Sequence, residues 1–255
     1  MKIQILGCSA IELLNSRLPG FLIDNKILLD AGTIGTILDK NQQCKIKHIL
    51  LTHAHLDHIK NLPFFADNIS TGNNKHHVTV MSIPKVIRAL KNNIFNDIVW
   101  PDFTKIPTAE NPNIRLKSID TEKTIIVDGY KITAYKVNHT VPSVGYVIED
   151  KRGRKLLYTG DTGPNETIWN SLSSTRLHGI IIEVSLPNRY KNMALKTGHL
   201  TPGLLKLELE KMISLPDNIY ISHNKPAYKK SVQEELKNLN IDNMKILKDG
   251  EILEI

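Results

Sequence analysis

The sequence has little of what would take it outside the ordinary globular enzymes. Its two cysteines, Cys8 and Cys44, are too few for a disulfide framework, and a reducing cytoplasm is the expected compartment. No apolar run approaches the roughly 18 residues that a membrane span needs. No basic, apolar, small-residue signal opens the chain, and Met1-Lys2-Ile3-Gln4-Ile5-Leu6 reads as a first strand. No Pro/Ser-rich linker, charge block or internal repeat divides it. Residues 1–255 are therefore expected to form one domain with a sizeable core. Aromatic residues are only 5% of the chain, so any local cluster of them is informative. Acidic residues are outnumbered, 26 against 33 basic ones, for a net charge of +7. Such a charge suits nucleic acid or a small anionic substrate. The lysines are scattered rather than interleaved with aromatics, so a solvated basic surface is the plainer reading.

One stretch stands out, Thr52-His53-Ala54-His55-Leu56-Asp57-His58. It follows the apolar run Ile46 to Leu51, which reads as a buried strand, and precedes Ile59 to Phe65, which reads as the start of a helix. The cluster thus sits on a strand-to-helix loop, where α/β proteins place their chemistry. In extended backbone His53 and His55 project to the same side and can share one metal ion. Asp57 and His58 enter the helix and point elsewhere, which suits a second ion. Neutral imidazole with carboxylate suits Zn, with Mn and Fe as alternatives. The competing reading is a polar loop with chance histidines, and three His with one Asp at this spacing argue against it.

Further donors fall at other strand ends. Lys2 to Gly7 and Gly20 to Leu29 read as paired strands, the second running into Asp30-Ala31-Gly32, a turn signal. The polar stretch Thr71 to Val80, with His76 and His77, reads as a solvent-facing turn before a strand. Pro84 to Asn93 reads as a helix. Asn93 to Phe103 gathers Phe95, Trp100 and Phe103. It reads either as a packing cluster or as a wall for a nucleobase, with Asn96 and Asp102 at base or ribose edges. Thr124 to Val127 and Tyr130 to Val137 form an expected hairpin through Asp128-Gly129 that delivers His139 to a strand end. Ser143 to Glu149 returns as a strand. Lys155 to Gly163 runs into Asp161, and Gly160 and Gly163 on either side allow close backbone approach. One carboxylate has two oxygens, so Asp161 can bridge two cations. Gly179 to Ser185 is an apolar strand in which Glu183 needs a partner. Gly198-His199 precedes a helix from Gly203 to Met212, with Thr201 as N-cap and Pro202 at its first position. Asn218 to Pro226 carries His223 and Lys225. Ser231 to Leu239 reads as a terminal helix, and Lys245 to Ile255 as a closing strand pair about Asp249-Gly250.

HxHxDH, the lone His139, Gly160-Asp161-Thr162-Gly163 and Glu183-Val184-Ser185, in this order, resemble the metallo-β-lactamase superfamily. Leu29-Asp30-Ala31-Gly32-Thr33 is similar to a strand end of that superfamily. Trp100-Pro101-Asp102-Phe103, Gly198-His199-Leu200-Thr201-Pro202 and His223-Asn224-Lys225-Pro226 together resemble class II 3′,5′-cyclic-nucleotide phosphodiesterases. The resemblance implies an αββα sandwich, with two sheets face to face, helices outside and a dinuclear site along one edge. It implies two divalent ions per chain, one held by His53, His55 and His139, the other by Asp57, His58 and His223, with Asp161 shared. Asp30 would hold the metal loop in place. The implied reaction is hydrolysis of a 3′,5′-cyclic nucleotide to a 5′-monophosphate, with Asp57, His199 and Glu183 as catalytic candidates. Glu183 would orient His199, His199 would assist the leaving O3′, and Lys225 would contact the phosphate. A cyclic nucleotide is the expected partner. Nucleic acid and membrane are not expected, and a homodimer is left open. One departure is visible: Lys60 and Asn61 follow HxHxDH where the family tends to small residues, which bears on loop packing or the pocket rim. A tRNA 3′-processing endonuclease shares the fold but would need an extended Gly/Pro- and Lys-rich arm. A cyclic phosphodiester enzyme of phosphonate metabolism shares the mechanics. A non-enzymatic scaffold would have lost ligands, and all seven are present.

Overall fold

The first strands of this chain bury apolar side chains on both faces, and the computed structural model, which describes residues 1–71 and 76–255, gives the reason. In β1 (Lys2–Gly7), Ile3 and Ile5 enter one core while Leu6 enters a second. In β2 (Gly20–Ile23) and β3 (Ile27–Leu29), Phe21, Ile23, Ile27 and Leu29 join the first core, and Leu22 and Leu28 the second. Alternation along a strand sends neighbours to opposite faces, so a sheet covered on both sides needs an unbroken apolar run.

The first sheet continues through β4 (His48–Leu50), β5 (Val78–Ser82) and β6 (Ile114–Ser118). The second contains β7 (Thr124–Val127), β8 (Tyr130–Lys136), β9 (Val144–Glu149), β10 (Lys155–Tyr158), β11 (Gly179–Glu183), β12 (Ile219–Ser222) and β13 (Met244–Ile246). The last strand, β14 (Ile252–Glu254), returns to the first sheet beside β1. The strand orders are β14-β1-β2-β3-β4-β5-β6 and β13-β12-β11-β10-β9-β8-β7. In each sheet one half is antiparallel and the other parallel. Pairs β3–β4, β4–β5 and β5–β6 are parallel in the first, and β10–β11, β11–β12 and β12–β13 in the second.

The inter-sheet core holds Phe21, Tyr146, Tyr158 and the inward aliphatics of both sheets. Outside the first sheet, after α1 (Lys40–Gln43) and α2 (Leu56–Ile59), come α3 (Leu62–Ser70) and α4 (Pro84–Asn93), which bury Phe65, Ile69, Val86 and Leu90. Outside the second, α5 (Thr167–Ser171), α6 (Lys191–Thr197), α7 (Pro202–Leu209) and α8 (Lys229–Lys237) bury Trp169, Ala194, Leu205 and Val232 among others. This is the αββα sandwich, a metallo-β-lactamase-type fold. Each fully buried aliphatic contributes about 1.5–3 kcal/mol, so the three apolar layers dominate its stability. No helix among the described residues is long and apolar enough to cross a membrane.

Several local expectations change. Gly20 to Leu29 is two strands, because Asp24 and Asn25 adopt left-handed φ angles of 44° and 59° and turn the chain. Lys245 to Ile255 is not a strand pair: β13 and β14 belong to opposite sheets. The helix after the histidine cluster is broken at Lys60 and Asn61 into α2 and α3. Asn61 Oδ1 there accepts from the Ile34 and Gly35 amides, at 3.1 and 3.2 Å, and Lys60 pairs with Glu12. Within Thr71 to Val80, residues 72–75 lie outside the described residues. His76 and His77 are half-buried, each bonded to a carbonyl, of Ile46 and Pro112 respectively, rather than solvent-facing. The helix at Pro202 begins as expected, with the Thr201 side chain capping the Leu204 amide.

Candidate metal centre

Every chemistry-bearing loop leaves the carboxyl end of a strand: Asp30 after β3, His53 to His58 after β4, His139 after β8, Asp161 after β10 and His223 after β12. Glu183 ends β11. With the sheets face to face, these ends meet along one edge, the usual position for a site in parallel α/β sheets. Two ties hold the edges in register. The Val144 amide donates to the Thr52 carbonyl at 3.0 Å, and the buried Tyr146 hydroxyl donates to the Leu51 carbonyl at 2.7 Å. Backbone approach is close at two glycines. A Cβ on Gly32 would lie 2.0 Å from the Asp57 carbonyl oxygen. One on Gly160, already at φ +59°, would lie 2.7 Å from the Thr52 side chain. Only glycine lets these loops nest.

The donors form two groups that share one carboxylate. In the first, donor atoms of His53, His55, His139 and Asp161 all lie within 4.8 Å of one another, and the same holds for Asp57, His58, Asp161 and His223 in the second. Asp161 Oδ2 faces the first group, 3.8 Å from His53 Nε2 and 3.9 Å from His139 Nε2. Its Oδ1 faces the second, 3.2 Å from His58 Nε2 and 3.3 Å from His223 Nε2. Asp57 Oδ2 lies 3.2 Å from His223 Nε2 and 3.6 Å from His58 Nε2. His55 differs from its neighbours in using Nδ1, which faces His139 Nε2 at 3.2 Å.

Outer partners orient the rings. Asp30, wholly buried at φ +55°, accepts from His58 Nδ1, the Tyr158 hydroxyl and the Thr52 hydroxyl at 2.7, 2.7 and 2.9 Å through one oxygen. Thr52 Oγ1 stands 3.0 Å from His53 Nδ1. His139 Nδ1 donates to the Gly198 carbonyl at 2.9 Å. Across the cleft His199 Nδ1 donates to Glu183 at 2.7 Å, and Ser185 Oγ lies 2.9 Å from His223 Nδ1. Thr52 and Ser185 stand inside the sequence motifs with no role assigned to them there, and Tyr158 is not among the candidates. Their signal was a polar side chain in an otherwise apolar, buried strand end, which must find a partner.

The electrostatics follow from burial. It pushes the His53, His55 and His139 imidazoles down, toward the neutral form that binds metal. Burial also opposes charge on His58, but Asp161 and Asp30 outweigh it and hold its pKa well above the ordinary value. Burial opposes the Asp161 anion too, yet His223 and His58 keep that carboxyl well below its usual range. For His199 burial presses the pKa down, Glu183 lifts it further, and Lys225 opposes weakly; the net direction is up.

The donor set fits divalent cations. His53 Nε2, His58 Nε2 and Asp161 Oδ1 are buried with no hydrogen-bond partner, and all belong to the same centre. Three buried polar atoms left without a partner in one spot are costly unless a cation serves them.

The other expected site residues lie apart from these groups or at their rim. Lys225 is half-buried two residues past His223, with no carboxylate within 4 Å among the described residues. Phe95 and Phe103 enter the core outside the first sheet, and Trp100 packs on that core with its ring 5.0 Å from Phe64. The polar atoms of Asn96 and Asp102 serve this loop: Asn96 Oδ1 accepts from the Ile98 and Val99 amides, and Asp102 accepts from Thr104 and pairs with Lys105 at 2.7 Å. A groove of about 760 Å³ runs beside His139, whose side chain is buried, and none of the other donors lines it. Its walls include Ile83, Ile119 and Val137, with Lys85, Arg88 and Lys136 at its margin.

Residues 38–245 match the family model of class-II cAMP phosphodiesterases. A protein of Yersinia pestis named a probable 3′,5′-cyclic-nucleotide phosphodiesterase is 28% identical over 72% of this chain, and the match spans 58% of that relative's length. Among solved structures, unliganded yeast PDE1 superposes with a TM-score of 0.85 at 21% identity, covering 100% of this chain and 99% of that one. The metallo-β-lactamase fold protein YhfI from Bacillus subtilis superposes with a TM-score of 0.78 at 15% identity, covering 99% and 98%. Ribonuclease Z of Archaeoglobus fulgidus is 24% identical over 78% of this chain and 80% of its own.

Proposed function

The chain belongs to the class-II cAMP phosphodiesterase family, and we propose that it hydrolyses 3′,5′-cyclic nucleotides to nucleoside 5′-monophosphates, as a single domain acting in the cytoplasm. The observation that carries the proposal is the division of Asp161, whose two oxygens face two separate donor groups. His53, His55 and His139 would hold one divalent cation, Asp57, His58 and His223 a second, and Asp161 both, with zinc as the first choice. Bound there, the cations supply Lewis-acid stabilisation of phosphoryl oxygens and lower the pKa of water.

The chain's own groups account for the rest. Lys225 offers a positive charge to the phosphate. Asp57, with 26% of its side chain exposed, keeps contact with solvent, which suits a carboxylate that takes a proton from the attacking water. Hydrolysis consumes that water, breaks the P–O3′ bond and leaves O3′ needing a proton. The raised pKa of His199 favours its protonated form, and Glu183 on Nδ1 leaves Nε2 free to deliver the proton. The groove beside His139 is of the size that takes a small ligand, and its apolar walls suit the nucleoside.

Purified protein should contain two divalent cations per chain by elemental analysis. A chelator should abolish turnover, and zinc should restore it; full activity with cation content near zero would end the metal reading. On substrates, cyclic AMP or cyclic GMP should be turned over while precursor tRNA is left intact. The ribonuclease Z likeness keeps a tRNA-processing reading as the second choice. Release of a tRNA trailer with both cyclic nucleotides untouched would put it first.

A further inference from the structure

The two sheets carry the same device at their facing edges. On the first, Asp30 takes His58 Nδ1–H directly at 2.7 Å and the Thr52 hydroxyl at 2.9 Å, and that hydroxyl meets His53 Nδ1 at 3.0 Å. On the second, Glu183 takes His199 Nδ1–H at 2.7 Å through Oε1 and the Ser185 hydroxyl at 2.8 Å through Oε2, and Ser185 meets His223 Nδ1 at 2.9 Å. Each buried carboxylate thus holds one imidazole itself and a second through a hydroxyl.

A hydroxyl has one proton to give. Ser185 Oγ has three candidate acceptors in range, Glu183 Oε2 at 2.8 Å, His223 Nδ1 at 2.9 Å and the His223 carbonyl at 3.2 Å. The contact to the carboxylate is the shortest, and it alone is charge-assisted and so the strongest. With its proton committed there, Ser185 can only accept from His223, which puts the hydrogen on Nδ1 and leaves the Nε2 lone pair facing the centre. His223 leaves its strand with a left-handed φ of +59°.

We infer that Ser185 is a positioning residue that sets the ring and tautomer of His223 and, through the same hydroxyl, pins the carboxylate that orients His199. It links the Asp57–His58–His223 group to the leaving-group side of the site. The first group is out of its reach: His53 is held by Thr52, and His139 by the Gly198 carbonyl. The inference rests on reading the site as a two-cation centre.

The test is stepwise zinc release from the zinc-loaded full chain to EDTA, followed with a chromophoric zinc indicator. In Ser185→Ala, one ion should be lost at a chelator strength about 10–100-fold lower than in wild type, the range for removing an outer partner of a ligand histidine. The other ion should be held as before. Ser185→Thr, which keeps the hydroxyl, should show the wild-type pattern. Unchanged release of both ions, or equal loosening of both, would overturn the inference. So would a Thr variant that melts like wild type yet loses zinc like the Ala variant. Cation release needs no substrate, so this outcome is separate from whether cyclic nucleotides are turned over.

Discussion

Asp161→Ala should lose cation content and activity together, with turnover down by at least about 10²–10³-fold, the range for removing one major electrostatic stabiliser. Each oxygen of Asp161 faces a different pair of imidazoles, so no other side chain of the centre serves both groups. The carboxyl is held well below its usual range because His223 and His58 outweigh the cost of burial. Deleting it removes negative charge from a wholly enclosed spot. Two cations would then repel each other with less screening. Elemental analysis and kinetics on the same preparation check this. Full cation loading with normal turnover would remove Asp161 from its shared role.

His199→Ala should cost roughly 10²–10⁴-fold in turnover of cyclic AMP, the usual contribution of one general acid, while cation content stays near wild type. The ring is held by Glu183 at 2.7 Å on Nδ1 and stacks on His223 at 5.6 Å between centroids. The distinguishing feature is the leaving group. A ribose hydroxyl leaves poorly without a proton, whereas a nitrophenolate needs none. The variant should therefore be crippled on cyclic AMP and much closer to wild type on a nitrophenyl phosphodiester. Glu183→Gln should show the same bias more weakly, since it acts through the imidazole. Equal losses on both substrates would take His199 out of leaving-group chemistry. A fall in bound cation would make it a ligand, an outcome with a structural basis because Glu183, His199 and His223 themselves form a donor cluster.

Strand and helix placement was most legible where the chain obeyed one period and one terminator. Pro84 to Asn93 was read to the residue, and Thr201 capped its helix as its hydroxyl dictates. The Asp128-Gly129 hairpin formed because a left-handed pair is the natural two-residue turn. Legibility failed at Asp24-Asn25, where an equally left-handed pair sat inside an apolar run and was read through. It failed again at the carboxyl end. Met244 to Ile246 and Ile252 to Glu254 are locally alike, and only the edges left open by β12 and β1 decide which sheet takes each.

The sequence by itself determined the donor inventory and its chemistry. Imidazole and carboxylate lone pairs suit divalent cations, and their spacing already separated His53 and His55 from Asp57 and His58. Local physics also settled the apolar strands, since a run buried on both faces admits few alternatives. Only the tertiary structure decided which oxygen of Asp161 faces which group, that His55 turns Nδ1 rather than Nε2 inward, and that Asn96 and Asp102 close their own turn. It alone brought Asp30, Thr52 and Tyr158 together on one side, and Glu183, Ser185, His199 and His223 on the other. The physical reason is range. A residue's donor chemistry and strand period are properties of a few neighbouring bonds. The orientation of a buried imidazole is set by hydrogen bonds to partners as far as 59 residues away in the chain, which exist only once the fold has closed.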